Sequence, residues 1–378
     1  MKYGTKLIHN GHGVDPTTGA LGTPIYQVST FRQEAIDHFG RYDYARSGNP
    51  TREAVEEAVA LLENGARGFA FASGMAAISS VLLLFSPGDH LVVGEDVYGG
   101  TYRVLTTLFS RLGIESTFVD ATDHNALAAA IRPETRGLYL ETPSNPLMKI
   151  TDLRAAADMA RERGLLTIVD NTFMTSYLQR PLDLGCDIVV YSGTKFLNGH
   201  SDVICGFAVA KDEEVAKRIK FVQNAFGAVL GPQDSWLVLR GLKTLKVRME
   251  ESQRSAQAIA SWLQGQQCVT SVYYPGLVTH PGHEVHAAQA AGPGAVLSFA
   301  LESYELTKRL LEGSKLSAFA VSLGGVESII SYPAKMSHAA IPREEREKLG
   351  ISDTLVRLSV GLEDVDDLLA ELDRLINS

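Results

Sequence analysis

The chain has 378 residues, 45% of them hydrophobic and 21% charged, which suits a globular protein with core enough for two domains. Its 35 basic and 44 acidic side chains leave a net charge of −9 without any basic block, so nucleic acid is not an expected partner. Cys186, Cys205 and Cys268 are too few and too scattered for a disulfide framework, and no stretch approaches the length of a membrane span. A cytoplasmic protein without a membrane partner is expected.

Residues 1–45 are rich in Gly, Thr, Pro and His with little helical periodicity, as in Asn10-Gly-His-Gly and Gly22-Thr-Pro-Ile-Tyr26. Such an arm cannot bury much of itself, so it is either frayed or packed on something else, a second subunit included. Tyr42-Asp-Tyr44-Ala-Arg46-Ser-Gly-Asn-Pro50 reads on its own residues as a surface turn with an exposed arginine. Val55, Val59 and Leu62 then recur at helical spacing over 52–64, with Gly65 as the expected cap. Phe69-Ala-Phe-Ala-Ser73-Gly74-Met75 runs from an apolar stretch into a small-residue helix. Its first amides make either an anion site or a tight packing turn. Neither dinucleotide nor P-loop glycine motifs are present.

Strand-like segments at 90–93, 116–119, 138–142 and 165–170 alternate with helical ones at 125–131 and 152–163. This βαβα rhythm predicts an α/β fold with a mostly parallel sheet covered on both faces. Asp96-Val-Tyr98-Gly-Gly100-Thr101 places a tyrosine beside two glycines, either flat over a ring or packing its own loop. The strand Leu165-Leu-Thr-Ile-Val-Asp170 ends in a carboxylate that needs a cation. The next strand, from Ile188, breaks into Ser192-Gly193-Thr194-Lys195. A lysine there is either part of an ordinary loop or a desolvated Schiff-base nucleophile, with neighbouring hydroxyls suited to a phosphate. Asp170 and Lys195 together, at the carboxyl ends of successive strands, match the way pyridoxal phosphate is held, by a lysine and by an aspartate on its ring nitrogen.

A strand at 205–210 and a charged helix at 212–221 follow, and the rhythm changes near Gly231-Pro232. One long helix is predicted over 234–263, then a smaller α/β unit with strands at 295–301 and 354–360 and a closing helix at 365–376. His280-Pro-Gly-His-Glu-Val-His286 reads as a solvated loop, because Pro281 and Gly282 break regular structure and no cysteine is near; no metal is expected. No Ser-His-Asp triad signature is visible. Arg357, within an apolar strand, needs a carboxylate from the protein or from a substrate.

Ser73-Gly-Met-Ala-Ala, Asp96-Val-Tyr-Gly-Gly-Thr, Glu141-Thr-Pro-Ser-Asn-Pro, Val169-Asp-Asn-Thr-Phe, Ser192-Gly-Thr-Lys, Arg240-Gly-Leu-Lys-Thr-Leu, Ser322-Leu-Gly-Gly-Val-Glu-Ser and Arg357-Leu-Ser-Val-Gly occur in this order. The set resembles the Cys/Met-metabolism pyridoxal phosphate enzymes, and the resemblance spans essentially the whole chain. It implies the aspartate aminotransferase-like fold type I, with an N-terminal arm (1–45) contacting a neighbouring subunit, a cofactor domain (46–235) and a C-terminal domain (236–378). By the same resemblance Lys195 binds the cofactor and moves protons, Asp170 holds the ring nitrogen, and Asn145 bonds the ring hydroxyl. Gly74 and Met75 amides, Ser73, Ser192 and Thr194 hold the phosphate, while Tyr98 stacks on the ring. Arg357 and Ser322 hold the substrate carboxylate. Tyr44 and Arg46 match residues that reach the neighbouring subunit's phosphate, which implies at least a dimer with shared sites, typically a homotetramer.

Departures from the pattern bear on the reaction. Ala320-Val321-Ser322-Leu-Gly carries valine where most cystathionine enzymes of this kind carry glutamate, and methionine γ-lyases are similar here. Yet Gly100 stands where those lyases usually have cysteine, and Gln223-Asn224 follows the cystathionine pattern. Met174 and Ser176 replace the usual Ala and Pro without an evident consequence. The resemblance thus implies a carbon–sulfur lyase of sulfur amino acid metabolism, first a cystathionine γ-lyase with relaxed specificity. The alternatives are a β-lyase or methionine γ-lyase, and beyond them a cystathionine γ-synthase or homoserine-ester sulfhydrylase.

Overall fold

The computed structural model describes residues 1–10, 13–339 and 343–377, so Gly11 and His12 of the predicted arm lie outside the described residues. A seven-stranded sheet is built from β1 (Arg67–Phe71), β2 (His90–Gly94), β3 (Glu115–Val119), β4 (Thr135–Glu141), β5 (Leu166–Asp170), β6 (Ile188–Ser192) and β7 (Gly206–Ala210). Their order is β1-β7-β6-β5-β4-β2-β3, and β7 alone runs against its neighbours. The carboxyl ends of β1, β2, β4, β5 and β6 therefore share one edge, where ligands of open α/β sheets bind.

Alternation in the strands explains the layers. Val189, Tyr191, Phe207 and Val209 point to one face, against Val55 and Val59 of the helix Pro50–Glu63. Ile188, Val190, Ala208 and Ala210 point to the other, against Ile78 of Gly74–Leu82 and Ile219 of Glu213–Phe226. Both faces are apolar because both are covered, as a parallel sheet requires.

A second, five-stranded sheet has the order β10-β11-β12-β9-β8. It comprises β8 (Val269–Tyr273), β9 (Val296–Leu301), β10 (Ala318–Phe319), β11 (Ile329–Ser331) and β12 (Leu355–Ser359). Val356 and Leu358 pack into its core against Leu306, Leu310, Leu368 and Leu372 of the helices Tyr304–Gly313 and Val365–Ile376. Arg357, between them, points the opposite way, in register with Ser331 on β11 and Ser298 on β9. Ser298 Oγ donates to the Pro146 carbonyl at 2.7 Å, which fastens this polar face to the edge of the large sheet.

Several expectations are corrected. The long helix predicted over 234–263 is two helices, Pro232–Leu242 and Leu245–Gln264. The break is forced by packing: a Cβ on Gly241 would lie 2.3 Å from the Asn198 carbonyl oxygen, and buried Arg248 reaches back to the Gly241 carbonyl at 2.9 Å. The helix cap expected at Gly65 falls on Asn64, which adopts the left-handed conformation, and the helix expected to end at 221 runs on to Phe226. The histidine segment is not a solvated loop. His283–Gln289 is helical, and buried His280 and His286 bond the carbonyl oxygens of Met148 and Gly292 at 2.8 and 3.0 Å. At the N-terminus, Tyr3–Ile8 is a helix docked on its own chain, with Leu7 buried and Lys6 Nζ bonding Leu61 O and Asn64 Oδ1.

Candidate active site

A cavity of about 630 Å³ opens where the carboxyl edge of the large sheet meets the polar face of the small one. Twelve residues singled out from the sequence line it: Ser73, Gly74, Met75, Tyr98, Asn145, Asp170, Ser192, Thr194, Lys195, Val321, Ser322 and Arg357. Tyr44 and Arg46 do not. Arg46 lies over the Tyr44 ring, 5.5 Å from its centroid, and donates to the backbone and side-chain oxygens of Asn224 at 2.6 and 3.2 Å.

Asp170 ends β5 and is 6% exposed. Its Oδ1 accepts the Thr172 N–H at 3.0 Å and the Thr172 hydroxyl at 2.6 Å, and that hydroxyl in turn accepts the Ser192 N–H at 2.9 Å. Burial pushes the carboxyl up to about 6 against these bonds. Behind the strand ends, Asn171 Nδ2 donates to the Tyr191 hydroxyl at 2.9 Å, Tyr191 donates to Glu63, and Gln179 Nε2 spans Asn171 Oδ1 and the Thr142 carbonyl, both at 3.0 Å. These buried bonds brace the edge, although Glu63 Oε2 and Gln179 Oε1 have no partner of their own among the described residues.

Lys195 leaves β6 through a tight turn and donates to Ser322 Oγ at 2.5 Å. Burial, assisted by the Arg357 charge, holds its ammonium down at about 8. At pH 7 about one molecule in ten then carries a free amine, against about one in three thousand for an ordinary lysine. The loop after it is pinned by Arg248, whose Nη1 donates to the Phe196 carbonyl at 2.7 Å. Ser322 itself has φ +89, a left-handed conformation that L residues rarely adopt. The Ser322 carbonyl accepts Arg357 Nη2 at 2.7 Å, and Asn145 Oδ1 accepts Nη1 at 2.9 Å. Both acceptors are neutral, and Arg357 Nε is buried without a partner.

The phosphate-side residues form a cradle of small side chains. Ser73 caps the helix Gly74–Leu82, its Oγ accepting the Ala76 N–H at 3.0 Å. A Cβ on Gly74 would sit 2.9 Å from Ser192 Cβ, and one on Gly206 only 2.1 Å from the Ser73 carbonyl oxygen. The amides that open this helix therefore stand beside the Ser192 and Thr194 turn, as an anion site requires. The Thr194 hydroxyl also exchanges hydrogen bonds with the Cys205 backbone at 3.0 and 3.2 Å. Sequence reasoning missed Thr172, Glu141, Phe173, Ile204, Met336 and Ser337, which line the same cavity. Thr172 had a local signal, since an aspartate readily accepts from the residue two positions on; the others arrive through tertiary contacts.

A buried acid without a protein cation, an orphaned guanidinium nitrogen, a low-pKa lysine and an amide cradle fit pyridoxal phosphate. They define the site of a pyridoxal phosphate-dependent enzyme on the aspartate aminotransferase-like fold. The chain belongs to the Cys/Met metabolism PLP-dependent enzyme family, whose model matches residues 4–377. It is 60% identical to cystathionine beta-lyase MetC of Bacillus subtilis over 364 residues, 96% of this chain and 93% of that protein. It is 53% identical to cystathionine gamma-lyase of the same organism, covering 98% of each. The crystal structure of cystathionine gamma-lyase from Lactobacillus plantarum complexed with L-serine superposes with a TM-score of 0.98 at 49% identity, over 100% of this chain and 99% of that one. Among the described residues no helix is long and apolar enough to cross a membrane.

The Asp170 carboxyl predicts a pH effect on the cofactor-free protein. Its folded pKa lies above the unfolded one, so the folded state binds the extra proton and stability falls as pH rises from about 4 through 6. Asp170→Asn removes that penalty. Melting of the two cofactor-free proteins should coincide near pH 4 and diverge above 6, the variant being more stable by on the order of 2–3 kcal/mol. Parallel melting curves at all pH values would show that Asp170 is not desolvated.

Proposed function

We propose that this protein is a carbon–sulfur lyase of sulfur amino acid metabolism that acts on cystathionine. The observation that carries this reading is Lys195 Nζ held 2.5 Å from Ser322 Oγ, beside an Arg357 with an unpaired Nε. Bound pyridoxal phosphate supplies an electron sink for the charge left at the substrate α-carbon. Arg357 receives the α-carboxylate through its open guanidinium edge, and Asn145 and the Ser322 carbonyl fix the plane of that edge. Lys195, its ammonium held well below the usual lysine range, takes the α-proton, and Ser322 Oγ fixes its amine on the correct side of the cavity. Asp170 keeps a negative charge at the closed end, Tyr98 covers the open wall, and the amides of Gly74 and Met75 with Ser73, Ser192 and Thr194 hold the phosphate. Loss of the thiol from Cβ or Cγ leaves an enamine, which water converts to a 2-oxo acid and ammonia.

Two cleavages are open to such a site. The sequence pattern favoured the γ-bond, giving cysteine and 2-oxobutyrate, and the relatives named gamma-lyase support it. The 60% identity to a beta-lyase supports cleavage at the β-carbon, giving homocysteine and pyruvate, and this is the first reading here. Product analysis with cystathionine as sole substrate separates them. Pyruvate with homocysteine is expected, and Lys195→Ala should abolish turnover while remaining folded. Borohydride should bleach the yellow band of the wild type and fix the cofactor on Lys195. Turnover that appears only with an activated homoserine ester and a thiol would replace the lyase by a transferase.

Val321 sets the breadth of specificity. It lines the cavity and is 66% exposed, an apolar side chain at the mouth where a carboxylate would meet the distal ammonium of cystathionine. Such a charge-assisted contact is worth roughly 1.5–3 kcal/mol, and each 1.4 kcal/mol is about tenfold in discrimination. The wild type should therefore also desulfurise cysteine, homocysteine or methionine. Val321→Glu should raise the ratio of kcat/KM for cystathionine over these by about tenfold or more; an unchanged ratio places recognition of the distal amine elsewhere.

Residues 1–45, apart from the docked helix Tyr3–Ile8, serve a second copy of the chain, and 46–235 and 236–378 form the cofactor and C-terminal domains. In support, Leu21, Ile36 and Phe39 stay 81, 91 and 67% exposed on an extended segment with little secondary structure of its own. Arg46 stands outside this chain's own cavity, which supports assigning it to a partner's phosphate. The enzyme should sediment as a dimer or tetramer, and Arg46→Ala should weaken cofactor binding by roughly tenfold, the scale of one charge-assisted phosphate contact. A fully active monomer would refute the shared site.

A further inference from the structure

Glu141 ends β4 directly opposite Asp170 in the parallel pairing of β4 with β5, and it lines the same cavity. Its Oε2 accepts the backbone N–H of Tyr98 at 2.8 Å. Tyr98 opens the short helix Gly99–Val104, and the two glycines after it are there for space. A Cβ on Gly99 would come within 2.5 Å of the Ser337 carbonyl oxygen, and one on Gly100 within 2.4 Å of the Tyr98 ring and 2.8 Å of Met75 Sδ. The tyrosine is thus seated on Gly100, with Gly99 against Ser337, and tied by its own backbone to Glu141.

We propose that Glu141 is a positioning residue: by accepting the Tyr98 N–H it holds Tyr98 at the cavity wall, beside Asp170 on the next strand end. The proposal rests on the role given to Tyr98 above. Two carboxylates on neighbouring strand ends cannot both ionise cheaply. The groups facing Glu141 are Asp170 and Asp96, which oppose its ionisation, and Arg357, which favours it. Burial and the Asp170 charge prevail, so the Glu141 carboxyl lies well above the usual range. A neutral carboxyl still accepts the Tyr98 N–H through its carbonyl oxygen, and glutamine would do the same.

A double-mutant cycle on the holoenzyme tests this, read both as kcat/KM and as the affinity of the cofactor-free protein for pyridoxal phosphate. Glu141→Ala should lower kcat/KM by roughly tenfold, the scale of one lost hydrogen bond. In a Tyr98→Ala background the same change should cost less than about twofold, because no ring is left to position. Glu141→Gln should behave as the wild type within about twofold, with an unmoved pH profile and unmoved cofactor affinity. Additive losses alongside a damaging Tyr98→Ala would overturn the proposal alone, whereas a harmless Tyr98→Ala would remove the role of Tyr98 and the proposal with it. Should Glu141→Ala fail to fold, Glu141→Gln still decides: a shifted acid limb would mean that Glu141 is ionised, and the proposal fails.

Discussion

Asp170 is a carboxylate at the end of a central strand, enclosed on both faces of the sheet, with a threonine as its hydrogen-bonding neighbour. That arrangement is expensive unless something else brings a positive charge. Burial acts in opposite directions on the groups around the cavity, raising the Asp170 carboxyl and lowering the Lys195 ammonium and the Arg357 guanidinium. The site is a set of charges, none of which is matched by the protein alone. A zwitterionic ligand with a cationic ring and an anionic carboxylate is what would relieve all three.

Such a set is held only if the backbone around it cannot relax, and the fold supplies that from outside the cavity. Arg248 lies in the C-terminal half of the sequence, yet its guanidinium is spent on the Phe196 and Gly241 carbonyls, bracing the turn that carries Lys195. Burial lowers its own pKa to about 10, still charged at any physiological pH. A Cβ on Gly199 would collide with this guanidinium at 1.9 Å, so the brace and the glycine require each other. The break between two helices and the Asn-Gly after Phe196-Leu197 are thus two parts of one support.

Much of this was legible before any coordinates. Asp170, Lys195 and Ser73-Gly74 could be found because strand-to-turn transitions are local, and a polar residue at a buried strand end is conspicuous. The alternating strands and helices of the large sheet were legible for the same reason. Arg357 was legible as a charge in an apolar strand, though which face it used depended on the pairing with Ser331 and Ser298. Glu141, Arg248 and Ser337 carry no such local mark; each matters through contacts made far along the chain. The histidine segment misled because Pro281-Gly282 suggested solvent, whereas carbonyls from distant and neighbouring backbone satisfy His280 and His286 in the interior. Short strands such as β10 and β11, of two and three residues, offer too little periodicity to be read at all.

The turn at Ser322 shows how a clamped catalytic group and a free specificity position can sit on adjacent residues. A left-handed serine costs on the order of 1–3 kcal/mol and persists only where its surroundings dictate it. Here they do: its carbonyl is taken by Arg357, its hydroxyl by Lys195, and Gly324, itself left-handed at φ +78, donates its N–H to Ser359 Oγ at 2.9 Å. Gly324 is pressed so closely on Phe196 that a Cβ would lie 2.7 Å from its backbone nitrogen. With the turn clamped on that side, Ser322 faces the lysine while Val321 is left 66% exposed at the mouth. The serine is fixed by its own two hydrogen bonds and by the clamped Gly324 two residues on, and it cannot change without disturbing the base and the carboxylate clamp. The valine is fixed by none of them, so its side chain can alter which distal group is welcomed without moving the atoms that break the bond.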